Sequence, residues 1–457
     1  MKLISLRLTL FQVWICCTPF FALAQTQNLD QEITGLLSKY GLKEQSYSLR
    51  FVKSQNSQVL FEKNSANKIN PASSIKVLTS LVALDQLGPS HRFITTAYKK
   101  GNDVCILGGG DPSMVQEQMW LLSEKLWGHL PKINTLFLDD SLFPASRDYA
   151  KDFSGDSHRA FTAPVGALSI NHNSVSVYVE GQAHGQKPVV RISPSLPSFI
   201  VSNQSHSKTS SRGKNIHADI IEKNQQWEIK VSGSIQPNQS FTLYRSIDKP
   251  LQYFGSMLSH YYQLHGGKIA QGFSPGLCDP QSEKLFEFRS KPLSLIVHGM
   301  NKYSSNFYAE TLAHHLSKAL SRESGIEALA QWAQKHIPES SEMVLQSASG
   351  LSRGTRVSAA FMTDVLAYAQ SQFSISPEWV SSLSIYGEDG TLRRFKDPLL
   401  RSKVRAKSGS LQDVVSLVGI IDSPKHGEVN FAMLFMQGKK ATWEIQQLEE
   451  LILRAMM

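Results

Sequence analysis

Leu29, Ile33, Leu36, Leu37 and Tyr40 recur at helical spacing and predict a first helix over residues 29–40. Between 46 and 62, SYSLRFVK and QVLFEK carry near-alternating apolar positions on either side of Gln55-Asn56-Ser57, the pattern of a β-hairpin. The stretch NPASSIKVLTSLVALDQLG then predicts the most strongly specified helix of the chain. Pro71 and the serines can open it, Val77, Leu78, Leu81, Val82, Leu84 and Leu87 form its apolar stripe, and Gly88 ends it. From about 98 to 245 the texture changes to short β-like runs (DVCILGGGDPS, INTLFLDDSLF, NSVSVYVEG, PVVRISP, WEIKVSGSI) separated by Gly, Asn, Ser and Pro, which predicts one or two inserted β-rich domains. The polar stretch 202–216 reads as an exposed loop within them. Helical periods return over 250–265, 291–335 and 357–372, and 414–436 reads as two buried strands around a Pro-Lys-His-Gly turn. A closing helix over 442–455 places Ile445, Leu448, Leu451 and Ile452 on one face, and no repeat of fixed period is visible.

Composition narrows this picture. The 457 residues, 41% of them hydrophobic, suit a large folded core of about three domains by length and exclude disorder, collagen and coiled coil as whole-chain descriptions. The N-terminus stands apart: Lys2 and Arg7 flank an apolar run ending in Ala22-Leu23-Ala24, the layout of a secretory signal peptide, so residues 1–24 are set aside and export to the periplasm is expected. Trp14-Ile15 precede Cys16 where lipidation would require small residues, which disfavours a lipoprotein. The formal charge of +9 suits an anionic wall polymer or peripheral contact with a membrane surface, against the blander reading of a solvated surface with a modest excess. Beyond the leader only Cys105 and Cys278 remain, far apart in sequence, and a disulfide and two buried thiols both stand as readings. No His-Glu-x-x-His or paired-cysteine spacing occurs, so no metal is expected.

Three short segments could carry chemistry. In Ser73-Ser74-Ile75-Lys76 a hydroxyl and an amine three residues apart share a helix face, as a serine nucleophile and its base would. Ser-x-x-Lys also occurs at Ser65, Ser205, Ser211 and Ser246, but only Ser73 heads a strongly amphipathic helix, at its positive end. Taken alone it reads as a helix cap beside a surface lysine. Lys407-Ser408-Gly409-Ser410 precedes a strand-like run and offers a cation, a hydroxyl and a backbone that can pair with an extended peptide, with Gly409 allowing close approach. Ser304-Ser305-Asn306 lies in a short turn before a helix, where an N-cap is the plain alternative.

In this order the three segments reproduce the motif set of the penicillin-recognising serine acyltransferases. With NPASSIKVLTS, LGGGDPS, FTAPVGALSINHNSVSVYV, MNKYSSNFYAETLAHHL, SGLSRGTRVS, GEDGTLRRF and VRAKSGSL in sequence, nearly the whole mature chain resembles the class C low-molecular-mass penicillin-binding proteins, the D-alanyl-D-alanine carboxypeptidase/endopeptidases. There are departures. Ser304-Ser305-Asn306 stands where that family usually has Ser-Asp-Asn, and Lys407-Ser408-Gly409 where it has Lys-Thr-Gly. Ser347-Ala348-Ser349 stands where an Asp-Gly-Ser is frequent, which removes an acid from that turn.

The resemblance implies an α+β fold: a transpeptidase-like domain, an antiparallel sheet flanked by helices, from 25–97 plus 246–457, with 98–245 as the β-rich insertion. It further implies Ser73 as nucleophile, Lys76 as its base and Ser304 as proton relay, with Asn306, Lys407, Ser408, Gly409 and Ser410 binding substrate. The oxyanion would lie between the backbone N–H groups of Ser73 and Ser410. The implied partners are peptidoglycan peptides ending in D-Ala-D-Ala and β-lactams as inhibitors, with no cofactor and no nucleic acid. A β-lactamase or esterase of the same fold and an inactive wall-binding relative are the alternatives. A competing motif, Gly350-Leu351-Ser352-Arg353-Gly354, matches a nucleophile elbow, with Asp389 or Asp413 and then His426 following in hydrolase order. It lacks a strand directly before it and a helix directly after it.

Overall fold

The computed structural model describes residues 18–152, 158–209, 215–223 and 226–457, with side chains from Leu29 onward. Residues 1–17 of the expected leader lie outside the described residues, and of 18–24 only the backbone is described, in the first turns of helix α1 (Thr18–Lys39). Among the described residues no helix is long and apolar enough to cross a membrane.

A six-stranded antiparallel sheet organises the first unit, in the spatial order Ser384–Ile385, Val404–Ser410, Val414–Ser423, Gly427–Met436, Tyr47–Lys53, Val59–Lys63. Successive residues of a strand face opposite sides, so the near-continuous apolar run at 414–436 implies that both faces are covered. Val418, Ile420, Ala432 and Leu434 pack into one core with α2 (Lys76–Leu87). Leu417, Ile421, Phe431, Met433 and Phe435 pack into another with α1, through Leu29, Ile33 and Leu37. Lys76 to Leu84 are all buried, since α2 is enclosed by the sheet on one side and outer helices on the other.

The second unit is larger than its sequence texture suggests. A mixed five-stranded sheet runs Phe273–Pro275, Leu136–Asp139, Asp103–Leu107, Ile94–Lys100, Glu283–Arg289. Helices α3 (Gln116–His129) and α4 (Pro250–Leu264) share its core through Met119, Leu122, Leu126, Tyr253, Phe254, Met257 and Leu258. A three-stranded sheet (Ser240–Ser246, Ser174–Glu180, Val189–Ser193) and a four-stranded one centred on Gln226–Ile235 complete it. The boundary expected at 245 falls inside this packing, which continues to Phe286, because helical periodicity marks α4 as amphipathic without saying which surface it covers. The stretch 202–216 is also more ordered than a loop. His206–Ser207 pairs in parallel with the Gln226–Ile235 strand and Asn215 starts an antiparallel partner, while 210–214 lie outside the described residues. Cys105 and Cys278 form a disulfide that ties the Asp103–Leu107 strand to the loop after Phe273–Pro275.

The chain then returns to the first unit as α5 (Leu293–Tyr303), α6 (Asn306–Ala319), α7 (Gly325–His336), α8 (Ala359–Ser371), α9 (Ser376–Ser382) and, after the sheet, α10 (Thr442–Ala455). The closing helix buries Ile445, Leu448 and Ile452 as the spacing predicts.

Candidate active site

Ser73 lies in a 3₁₀ turn, Ala72–Ile75, that runs directly into α2, so Lys76 begins the helix one turn below it. The turn is fixed from both sides. Ala72 has φ +46, a conformation costly for a residue with a Cβ, and its N–H donates to Asn70 Oδ1 at 2.7 Å. Asn70 in turn donates to the carbonyls of Ser352 (3.0 Å) and Arg353 (3.1 Å). Gly350, at φ +77, passes so close beneath that a Cβ there would sit 1.9 Å from the Ala72 carbonyl oxygen.

Lys76 Nζ lies 2.9 Å from Ser73 Oγ, 2.8 Å from Asn306 Oδ1 and 2.6 Å from the Ser349 carbonyl. A neutral ε-amine has two N–H bonds and one lone pair. The three acceptors match the three N–H bonds of an ammonium; in the neutral amine the two carbonyls take both N–H bonds and the lone pair faces the Ser73 hydroxyl. The side chain is fully buried, and desolvation together with the neighbouring Lys407 pushes its pKa well below the lysine range, with Glu310 pulling the other way. Burial and the neighbouring Lys407, rather than the contacts themselves, favour the neutral amine.

Ser304 caps the C-terminus of α5 in the left-handed region, φ +57, and receives a hydrogen bond from Lys407 Nζ at 2.9 Å. Lys407 also donates to the Ser408 carbonyl at 2.6 Å and is held down to about 7 by burial. Asn306 opens α6, with its Nδ2 donating to the Phe161 carbonyl of the second unit at 3.0 Å. The Val404–Ser410 strand lies against the Ser73 turn at Gly409, where a Cβ would fall 2.5 Å from the Pro71 carbonyl and 2.9 Å from Ser74 N. Ser408 Oγ donates to Thr391 Oγ1 at 2.8 Å, and Ser410 stands exposed at the strand end.

Ser73, Lys76, Ser304, Asn306 and Lys407 therefore meet from three distant stretches of chain. Sequence reasoning missed Glu310, Ser349 and Thr391. Glu310 had a signal, since it stands one helical turn after Asn306 on the same face. Among the described residues the elbow motif assembles nothing comparable: Ser352 Oγ lies 2.8 Å from Gln346 Oε1 and 3.2 Å from Asp152 Oδ2, with one hydrogen to give, while Asp389 is paired with Lys302 and Asp413 with Arg353.

Comparison with known proteins bears on the family and the fold. A D-alanyl-D-alanine carboxypeptidase of Actinomadura sp. (strain R39) is 24% identical over 444 residues, covering 90% of this chain and 81% of its own. The D-alanyl-D-alanine carboxypeptidase DacB of Haemophilus influenzae is 24% identical over 406 residues, 83% of each chain. The crystal structure of penicillin binding protein 4 (dacB) from Haemophilus influenzae matches with a TM-score of 0.77 at 22% identity, over 92% of this chain and 98% of that one. A predatory endopeptidase of Bdellovibrio bacteriovorus, solved with an immunity protein, shares the fold at a TM-score of 0.53 and 17% identity, over 88% and 90%. With residues 29–454 matching the family described as D-Ala-D-Ala carboxypeptidase 3 (S13), the chain belongs to that family of serine peptidases.

Proposed function

We propose that the protein hydrolyses the peptide bond between the two D-alanines of peptidoglycan stem peptides through an acyl-enzyme on Ser73. Neutral Lys76 takes the hydroxyl proton as Ser73 Oγ bonds to the penultimate carbonyl carbon. The resulting oxyanion is held by the backbone N–H groups of Ser73 and Ser410, each such donor contributing on the order of 3 kcal/mol. Ser304, bridged to Lys407, relays the proton held by Lys76 to the departing amine as the C–N bond breaks, which leaves Lys76 neutral and Ser304 protonated again. Water then attacks the ester and frees Ser73. Lys407, with Ser408, binds the terminal carboxylate. Asn306 fixes Lys76 through Oδ1 and keeps one Nδ2 hydrogen for the substrate amide.

The observation that carries this reading is the set of three Lys76 contacts, which hold its nitrogen 2.9 Å from Ser73 Oγ and, once the amine is neutral, turn its lone pair to that hydroxyl. A β-lactam presents the same acyl carbon and forms the same ester, a reading supported by the complex of the Haemophilus protein with a β-lactam. Cleavage of cross-links needs the same chemistry on a longer leaving group, and the likeness in fold to a Bdellovibrio endopeptidase supports it. The leader expected at 1–24 and a peptidoglycan substrate support a periplasmic site of action. Purified protein is expected to release D-alanine from a pentapeptide and to split a cross-linked muropeptide, with Ser73→Ala inactive on both. Activity surviving in that variant, or rapid turnover of penicillin without a stable adduct, would overturn the assignment in favour of another nucleophile or a β-lactamase.

A further inference from the structure

Glu310 is a buried carboxyl that the mechanism above does not use. It projects from α6 one turn after Asn306 and accepts a hydrogen bond from Ser349 N at 2.8 Å. The next polar group of that residue, the Ser349 carbonyl, is the one that receives Lys76 Nζ at 2.6 Å. Thr79, one turn along α2 from Lys76, donates to the Ala348 carbonyl at 2.7 Å and fixes the same turn from the other side. The 348–350 turn is therefore clasped between Glu310 and Thr79, and what it presents to the site is one carbonyl oxygen aimed at Lys76. On its far side Glu310 borders a cavity of about 530 Å³ between α6 and the second unit, with Tyr149 and Gln346 in its lining.

We propose that Glu310 is a positioning residue for the acylation step: it holds the Ser349 carbonyl on Lys76, and its negative charge sets the pH at which Lys76 becomes a base. The inference rests on the reading of Lys76 as the base of Ser73. Two features besides the hydrogen bond support it. The two buried lysines of the site have Glu310 as the buried carboxylate between α6 and α2, and Glu310 and Lys76 influence each other's proton affinity in opposite senses. Burial raises the Glu310 carboxyl above the ordinary value, and its Ser349 bonds and the Lys76 charge oppose that rise. The other ionisable groups facing the pair are Lys407 from the Val404–Ser410 strand, Tyr149 from the second unit and His314 on the next turn of α6. Asp148, Lys318, Arg322 and Glu323 line the same cavity. Replacing Glu310 leaves all of these in place, so a changed pH profile reports on its own charge.

The test is the rate of Ser73 acylation by fluorescent penicillin as a function of pH. In Glu310→Gln, which keeps the size and an acceptor for Ser349 N–H, loss of the negative charge lowers the proton affinity of Lys76. The acidic limb is then expected to move to lower pH by about one unit, the smaller end of the effect of a nearby opposite charge. Glu310→Asp keeps the charge but shortens the reach, so its limb is expected to stay at the wild-type pH while the rate falls at every pH. A slower Gln variant whose limb has not moved would make Glu310 a structural residue only and overturn the proposal. If Gln fails to fold, an Asp variant with a shifted limb would do the same. Absence of labelling in the wild type itself would instead remove the reading of Ser73 and Lys76 on which the proposal rests.

Discussion

Lys76 and Lys407 are both fully buried, yet the proposed reaction asks for opposite protonation states. Lys76 works as a base only when neutral, and its depressed pKa makes it neutral at lower pH than a free lysine. Activity is therefore gained as pH rises through that value. Lys407 holds a carboxylate only as a cation, and with a value near 7 it loses its charge as pH rises through neutrality. The free enzyme is expected to show a bell-shaped kcat/KM with an alkaline limb near 7. In kcat that limb should lie higher, because bound carboxylate keeps Lys407 charged. Lys407→Arg stays charged and is expected to lose the alkaline limb whatever its overall rate; steady-state kinetics on a pentapeptide across pH, with the limb unmoved in this variant, would show that another group sets it. The motif residues were legible in the sequence because each combined a residue type with a context, Ser73 above all at the head of α2. Thr391 was not, because it acts through Ser408 and completes no recognisable spacing, and the i, i+4 spacing of Glu310 after Asn306 says nothing of the Ser349 turn it holds.

Elements bring these residues together through one close contact, the Val404–Ser410 strand against the Ser73 turn. A side chain at Gly409 would strike backbone atoms of Pro71 and Ser74, which cannot swing aside. Gly409→Val is therefore expected to destabilise the fold by about 1–3 kcal/mol and to separate the lysines from Ser73. A denaturant midpoint and penicillin labelling would both fall; a variant that lost neither would show the contact to be dispensable. Leu81→Ala, deep in the stripe of α2, should cost about 2–5 kcal/mol in the same denaturation experiment. That helix was readable from the sequence, as were the hairpin at 46–62 and the paired strands at 414–436, since each buries a regular face. Helix α3 was not. Its buried Met119, Leu122 and Leu126 have helical spacing, but exposed Trp120, Leu121 and Trp127 blur the stripe among neighbouring β-like runs.

At the scale of the molecule, the second unit meets the candidate site through the Phe161 carbonyl on Asn306 and touches the neighbouring turn through Asp152 on Ser352. Its disulfide closes a long loop, with 173 residues separating the cysteines, and pairing could not be read from two cysteines that share no local pattern. Replacing both by Ser is expected to lower unfolding free energy by about 2–4 kcal/mol while leaving penicillin labelling intact, because the bridge lies in the second unit's own sheet. Thermal melts with and without reductant, read beside labelling, check both halves of that statement. The most direct measurement is the mass of the intact protein after penicillin treatment, followed by mapping of the modified peptide. A single stoichiometric adduct on Ser73, absent in Ser73→Ala and in Lys76→Met, is the predicted result. An adduct on Ser352, or folded protein that carries none, would contradict it.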